Sequence, residues 1–183
     1  MAAVNTISKL NIASGGSSDW GTLPASRYGQ VGCSNATNDR ALFSGGGSTG
    51  SGSEGVQYMT ITSSGASTGG TYLSANCHYG SSTSNGTGEK AIVCLHSTSY
   101  ARIDTMTINS LSESTDFGDI TPTTRASGTA TSDGLGQRGL IAGGENSGYK
   151  NEIDYVNISS GGNSNDFGNL TVARAALAST SNA

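Results

Sequence analysis

The sequence predicts an all-β protein built from four similar antiparallel sheets, and three observations support this prediction. Apolar segments of strand length recur at nearly constant spacing along the chain. Glycine accounts for 28 of the 183 residues and supplies frequent turns, whereas proline occurs only at Pro24 and Pro122. Only 33% of the residues are hydrophobic and 12% are charged, which suits many short strands better than one thick core.

The first repeated element is a half-buried strand. It has apolar residues at its first, fourth and sixth positions, polar residues between them and β-branched neighbours, a pattern typical of strands. Its last isoleucines are 49, 47 and 50 residues apart, and this spacing marks an internal repeat. The four copies are 7–12, 56–61, 103–108 and 153–158.

A Gly/Ser/Asn turn follows each copy, and a short element opened by an aromatic residue and glycine comes next. The aromatic residues are Trp20, Phe117 and Phe167, and we expect them to be buried anchors of their repeats. Arg27, Arg125 and Arg174 close the element, with Asn76 in the second repeat. A periodic arginine favours a structural role, joining loops through backbone carbonyls, over the alternative of an anion site in a channel.

The most hydrophobic strand begins with a basic residue after a Ser-Asn or Ser-Asp turn. Its sequences RALFSGG, KAIVCLH and RGLIAGG indicate a strand that is buried on both faces. The double glycines Gly45-Gly46 and Gly143-Gly144 allow a sharp turn or a close approach of another backbone. The second repeat replaces this pair by Leu95-His96, so we expect its sheet to be distorted or specialised.

Four strands in about 48 residues form a sheet that buries its apolar faces only against copies of itself. Radial stacking of such sheets is a β-propeller. We therefore expect one domain over residues 1–183, an approximately four-bladed propeller. Its repeats fall at about 5–39, 40–89, 90–137 and 138–183.

The order of these features resembles the Kelch repeat. Gly45-Gly46 and Gly143-Gly144 match the family's double glycine, Tyr58 and Tyr155 its tyrosine region, and Trp20, Phe117 and Phe167 its tryptophan position. Two sequence motifs are similar to Kelch-type repeats of bacteriophage structural proteins, especially those associated with tails. They are Ile-Asp-Tyr-Val and Asp-Phe-Gly-Asn-Leu-Thr-Val-Ala-Arg. This resemblance implies a virion protein. Residues 1–20 have no basic region followed by an apolar stretch, so we expect it to be made in the host cytoplasm without a signal peptide.

One strand is missing from the repeat count. Only a short connection separates Val4 from Ile7, whereas 11 to 14 residues separate the equivalent positions of the other repeats. We therefore expect one blade to lack its apolar strand. Its open edge is either left near the termini or filled by another protein or protomer.

Composition and motifs exclude several function classes. A formal charge of −4 with nine scattered Lys and Arg residues argues against nucleic acid, and no apolar run is long enough for membrane insertion. Cys33, Cys77 and Cys94 fit buried free thiols. The G-x-G-x-x-G match at 45–50 and the Asp-Phe-Gly triplets at 116–118 and 166–168 fit loops and turns. The sequence predicts no enzyme, no cofactor and no metal site, and it lacks the Tyr/Cys/His copper site that a galactose-oxidase-type enzyme needs.

The loops after the apolar strands vary most among the repeats, so they are the predicted binding surface on one rim. We expect a structural virion protein of the tail or fibre that mediates assembly, host attachment or both. Its partners would be other virion proteins, copies of itself, and a glycan or protein of the host surface. The alternative is a stand-alone bacterial carbohydrate-binding or scaffold module. The predicted binding residues are Ser48, Ser51, Glu54, His96, Tyr100, Glu145, Tyr149 and Lys150.

Overall fold

The structure is a computed structural model that describes residues 4–35, 40–47, 52–86, 89–94, 101–110, 112–122, 124–133 and 137–181. Within these ranges it has fourteen β-strands and no α-helix, so the prediction of an all-β protein is confirmed. In the same residues there is no helix that could span a membrane.

The predicted half-buried and most hydrophobic segments fall largely within strands, whereas the two-residue strand at 65–66 matches no predicted segment. In chain order the strands are β1 (Val4–Leu10), β2 (Ser17–Ser34), β3 (Arg40–Gly47), β4 (Ser53–Thr60), β5 (Gly65–Ala66), β6 (Thr68–Cys77), β7 (Ser81–Ser84), β8 (Lys90–Cys94), β9 (Arg102–Thr107), β10 (Thr115–Asp119), β11 (Thr129–Ser132), β12 (Arg138–Ala142), β13 (Glu152–Asn157) and β14 (Asn165–Asn169).

These strands form three sheets. Two are four-stranded and antiparallel, with the orders β7-β8-β9-β10 and β11-β12-β13-β14. The third has six strands, in which β1-β2-β3-β4-β6 are antiparallel and the short β5 adds a parallel pairing to β2. The long β2 pairs with β1 through its first part and with β3 through residues 28–34.

Because β2 is shared, the six-stranded sheet contains two units. Residues 28–34 of β2 with β3, β4 and β6 repeat the strand order of the other two sheets, and we call these strands the first sheet. The second sheet is β7–β10 and the third is β11–β14. Strand β1 with residues 17–23 of β2 forms a smaller two-stranded unit that precedes the first sheet.

Two kinds of backbone hydrogen bond recur between successive units, three times each, and the first–second and second–third sheet junctions have both. The inner kind is donated by a residue of positive φ just before an inner segment, our name for residues 28–34, β7, β11 and residues 177–181. The outer kind is donated by the serine just before β6, β10 or β14, the last strand of each sheet. The inner bonds are Tyr79 N to Gly29 O, Ser127 N to Tyr79 O and Ala176 N to Ser127 O, at 3.0, 3.2 and 2.8 Å. The outer bonds are Ser67 N to Thr22 O, Ser114 N to Tyr72 O and Ser164 N to Asp119 O.

The hydrophobic core lies between the sheets. One cluster joins the first and second sheets and includes Leu42, Val93 and Ile108. The other joins the second and third sheets and includes Ile92, Phe117 and Ile158. Each sheet therefore buries at least one face against a neighbour, as expected for repeats that cannot fold alone.

The arginine positions differ in their surroundings. Arg125 is fully buried and donates through Nε to the Gly143 carbonyl at 2.7 Å and through Nη2 to the Ile141 carbonyl at 3.2 Å. Arg27 is half-buried, and Arg174 is exposed and donates to the Val172 carbonyl. In the second repeat the equivalent residue is Cys77 and not Asn76, because Cys77 stands two residues before the positive-φ position at Tyr79.

The double glycines lie where backbones cross. A Cβ at Gly45 would come within 2.4 Å of the Cys77 carbonyl oxygen, and one at Gly143 within 2.7 Å of the Arg174 carbonyl oxygen. Gly46 and Gly144 also have positive φ, and a Cβ there would come within 3.1 Å of the Tyr28 carbonyl oxygen and 2.5 Å of the Ala126 carbonyl oxygen, respectively. A larger residue at any of these four positions would therefore push apart the segments that meet there.

The aromatic anchors are buried to different extents. Phe117 is 8% exposed and Trp20 is half-buried, but Phe167 is 54% exposed, contrary to the expectation of a buried anchor. The reason is the position of its sheet. The Phe117 carbonyl accepts a hydrogen bond from Gly162 of the third sheet, whereas no described unit follows the third sheet and covers Phe167.

Candidate functional site

Residues of the four inner segments line one cavity, which we call the central cavity. It has a volume of about 410 Å³ and is lined by residues 32–34, 82–84, 130–132 and 179–181. Nearly all of these residues are small, and most carry hydroxyl groups. Hydroxyls also join neighbouring segments, since Ser84 donates to the Ser34 carbonyl and Ser179 to the Ala130 carbonyl. The cavity is thus polar, and residues from all four predicted repeats line it.

A second cavity, which we call the axial pocket, lies a few residues earlier on the same inner segments. It has a volume of about 540 Å³. Its wall consists of residues 29–30, 79–80, 127–128 and 175–177, together with Glu145 and Tyr149. Every repeat therefore contributes backbone to this pocket, and two repeats add an aromatic side chain.

An aromatic cluster fixes one side of the axial pocket. The Tyr79 ring stacks on His78 with ring centroids 4.0 Å apart, and Tyr28 meets the His78 ring edge-on at 4.9 Å. Tyr79 adopts the left-handed conformation at φ 56° and is 50% exposed. Its ring is therefore held by packing on one face while part of it stays accessible to a ligand.

A short, well-bonded loop forms the opposite side. Glu145 bridges to Tyr149 and exchanges two backbone hydrogen bonds with Ala126. The Asn146 side chain donates to the carbonyl and hydroxyl oxygens of Thr124 at 3.1 Å. Tyr149 remains 66% exposed. The loop thus presents an aromatic side chain and a carboxylate from a fixed backbone.

The predicted rim residues divide into three groups. Glu145 and Tyr149 lie together in the wall of the axial pocket. Glu54 and Lys150 lie outside that wall: Glu54 is exposed on β4, and Lys150 binds through its backbone to Gly144 and Arg174. The predictions for Ser48, Ser51, His96 and Tyr100 fall outside the described residues.

Sequence reasoning missed Tyr79 and Gln30 as pocket residues. Both lie just after the repeat arginine position, which the periodic pattern marks as structural. One signal was present in the sequence. The four equivalent residues are Gly29, Tyr79, Ser127 and Ala176, so a single large aromatic stands where the other repeats have small residues.

The buried ionisable groups serve packing and pairing. Arg125 forms an ion pair with Asp154 at 2.7 Å, and both side chains are almost fully buried. Burial raises the pKa of Asp154, and the Arg125 guanidinium opposes this effect. Burial also raises the pKa of Cys33 and Cys77 to about 12 and raises that of Cys94. Within the described residues no cluster of His, Cys, Asp or Glu is arranged to hold a metal ion.

A third cavity, which we call the strand groove, separates the two-stranded unit from the first sheet. It has a volume of about 510 Å³ and a mostly apolar wall. Ile7 and Trp20 line one side, and Phe43, Met59 and Ile61 line the other. The Lys9 ammonium group lies 4.2 Å from the centroid of the Trp20 ring.

Comparison with the models of known protein families gives no match for this chain, and comparison with curated proteins also gives none.

Proposed function

We propose that this chain is a four-bladed, Kelch-like β-propeller that acts without catalysis as a tail- or fibre-associated structural protein of a virion and binds a neutral sugar of the host surface in its axial pocket. Two features support the propeller. Four equivalent segments line one cavity, and two kinds of backbone hydrogen bond recur between successive units, three times each. The two-stranded unit would be the incomplete fourth blade together with residues 177–181.

The axial pocket is the observation that carries the sugar-binding part of the proposal. Tyr79 and Tyr149 offer exposed ring faces to the apolar face of a pyranose. The Gln30 amide, the Ser127 hydroxyl and the Glu145 carboxylate supply donors and acceptors for sugar hydroxyls. Few polar groups on a largely preformed, partly aromatic wall are typical of small-ligand sites.

The charge of the pocket favours a neutral ligand. Glu145 is the ionisable carboxylate in its wall, and the chain as a whole has a net charge of −4. A carboxylated or sulfated sugar would be repelled by this arrangement. The volume of about 540 Å³ accommodates one or two sugar rings.

Two further features support a binding and structural role over catalysis. The Arg125–Asp154 pair lies in the interior, where it ties the inner segment to β13. The three thiols have raised pKa values, so few thiolate nucleophiles form at neutral pH. The resemblance of the repeats to bacteriophage structural proteins supports the location in a virion.

Binding should be measured with neutral probes, namely galactose, glucose and N-acetylglucosamine and their disaccharides, by NMR line broadening and calorimetry. We expect saturable binding to at least one of them and a loss of about tenfold or more for Tyr149→Ala. Tyr72→Ala is the matched control, because Tyr72 is 60% exposed but lies outside the pocket. Equal effects of the two substitutions, or no binding by the folded protein, would contradict the sugar site.

Mass spectrometry of purified phage particles tests the virion location. We expect this chain at a fixed copy number per particle, and antibody labelling should place it on the tail or fibre. Absence from particles together with intact sugar binding would instead indicate a stand-alone carbohydrate-binding module.

A further inference from the structure

At each junction between two sheets, the most apolar strand of the earlier sheet packs on the later sheet. Between the first and second sheets, Leu42 of β3 packs in one cluster with Val93 and Ile108. Between the second and third sheets, Ile92 of β8 takes the equivalent place against Val156 and Ile158. The apolar strand of the earlier sheet therefore covers the later one, and Ile108 and Ile158 are fully buried.

The junction before the first sheet lacks this cover. Among the described strands β1 pairs only with β2, so its other edge presents unpaired backbone groups. Ile61 occupies the position of Ile108 and Ile158 but is 41% exposed. The strand groove runs between these two features and holds a volume of about 510 Å³.

We propose that the strand groove receives a β-strand from a partner protein, which pairs with the free edge of β1 and packs on Met59 and Ile61. The other junctions define the chemistry of this strand. It begins with a basic residue, continues with a short run of mostly apolar side chains and ends in small residues or glycine, as β3, β8 and β12 do. Backbone pairing would supply affinity, and the aliphatic side chains would supply specificity.

The basic residue of the partner's strand, which we call the guest strand, also has a defined hydrogen-bonding position. Arg40 at the start of β3 donates to the carbonyls of Ile108 and Asn109 in the second sheet. Lys90 at the start of β8 donates to the Ser159 carbonyl in the third sheet. By the same relation, the guest's basic side chain would reach the backbone carbonyls that follow Met59 in the first sheet.

A second copy of this chain is a poor source of the strand. Each of its own apolar strands is already paired on both sides, with β3 between β2 and β4, β8 between β7 and β9, and β12 between β11 and β13. Donating one of them would break two strand ladders and an apolar cluster. A separate partner with a free extended segment avoids this cost.

The test uses the full chain and a synthetic peptide with the sequence of residues 40–47, RALFSGGG. Trp20 is the single tryptophan and lines the strand groove, so its emission reports occupancy without a label. We expect a blue shift that saturates at one peptide per chain. Replacing the peptide's leucine by proline removes a backbone donor and should weaken binding at least tenfold.

Two protein variants separate the groove from other contacts. Ile61→Ser removes an apolar contact from the groove at a partly exposed position and should weaken the peptide about tenfold. Tyr149→Ser lies in the axial pocket and should leave peptide binding unchanged. Since the two cavities are lined by different residues, loss of sugar binding would not affect this proposal.

Three outcomes would overturn the proposal. The first is no saturable change in Trp20 emission while circular dichroism shows a folded protein. The second is equal binding of the proline peptide or equal affinity of the Ile61→Ser variant. The third is that sedimentation velocity shows a dimer and the dimer does not bind the peptide. This result would mean that a second copy of the chain occupies the strand groove.

Discussion

The junction between the second and third sheets differs sharply from the two faces that no neighbouring sheet covers. Phe117 and Phe167 occupy equivalent positions in the sequence, yet one is 8% and the other 54% exposed. Ile158 is fully buried, whereas its counterpart Ile12 in the turn after β1 is 93% exposed. The same sequence pattern therefore gives different burial, because a neighbouring unit, and not the residue's own sheet, supplies the cover.

This difference predicts an uneven distribution of stability. In repeat proteins each unit contributes its own stability and a term for each interface with a neighbour. Units with two covered faces should resist unfolding most, and the third sheet and the two-stranded unit should open first. Paired substitutions at equivalent positions test this expectation.

The largest contrast is expected at the repeat arginines. Arg125→Met leaves Asp154 as a buried carboxylate without its guanidinium and should lower the free energy of unfolding by about 3–5 kcal/mol. Arg174→Met affects an exposed side chain and should change the free energy of unfolding by about 0.5 kcal/mol or less. Urea titrations of the two variants provide the measurement, and similar losses would remove the distinction between covered and uncovered units.

The pH dependence of the Arg125→Met variant sharpens the same test. Because burial raises the pKa of Asp154 above its value in the unfolded chain, the folded chain binds the proton more tightly. The stability due to this group is fully present below the ordinary carboxyl pKa and is lost as pH rises through the raised value. Without Arg125 to oppose the shift, the loss relative to the wild type should be larger at pH 7 than at pH 4. A loss that does not vary with pH would argue against an uncompensated Asp154 charge.

The aromatic pair should give the next largest difference. Phe117→Ala opens a cavity within a closed apolar cluster and should cost about 3 kcal/mol or more. Phe167→Ala should cost about 1 kcal/mol or less, since its ring contacts Tyr155 edge-on but faces solvent. Thermal and urea unfolding would both detect this gap. If Phe167→Ala proved as damaging as Phe117→Ala, a cover for the third sheet would have to exist in solution.

The cysteines should show the smallest effect, a difference in the rate at which their thiols react with a labelling reagent. Cys94 lies fully buried in the closed junction, whereas Cys33 is partly exposed and lines the strand groove. Labelling with a disulfide reagent at pH 8 should modify Cys33 slowly and leave Cys77 and Cys94 unmodified until the chain unfolds. Denaturant serves as the positive control, and simultaneous reaction of all three thiols would contradict the closed junction.

The repeat predicted the apolar strands because each of them has a recognisable pattern of apolar residues in its own sequence. Alternating apolar residues mark β4, β9 and β13, and continuous apolar runs mark β3, β8 and β12. The burial of Phe167 could not be predicted in the same way, since it depends on whether another unit follows in space. The substitution of Cys77 for the repeat arginine was also hidden, because a shift of one residue between Asn76 and Cys77 leaves the spacing almost unchanged.

The candidate site was predictable only in part. Variable loop content indicated Glu145 and Tyr149, which do line the axial pocket. Gln30 and Tyr79 come from other repeats, and their approach depends on how the inner segments converge. A single sequence contains the residues of such a pocket but not the distances between segments that are roughly 50 residues apart.

The small residues around the central cavity determine how closely the units approach one another. Serine, threonine, alanine and glycine occupy little volume, so the four segments that line this polar cavity can lie close together. Hydroxyl groups in such a cavity bind water, so we expect its wall to be hydrated while the hydrocarbon contacts lie between the sheets. In the proposed propeller, larger side chains on these segments would need a wider ring, so the size of these residues would limit how many repeats could close around its axis.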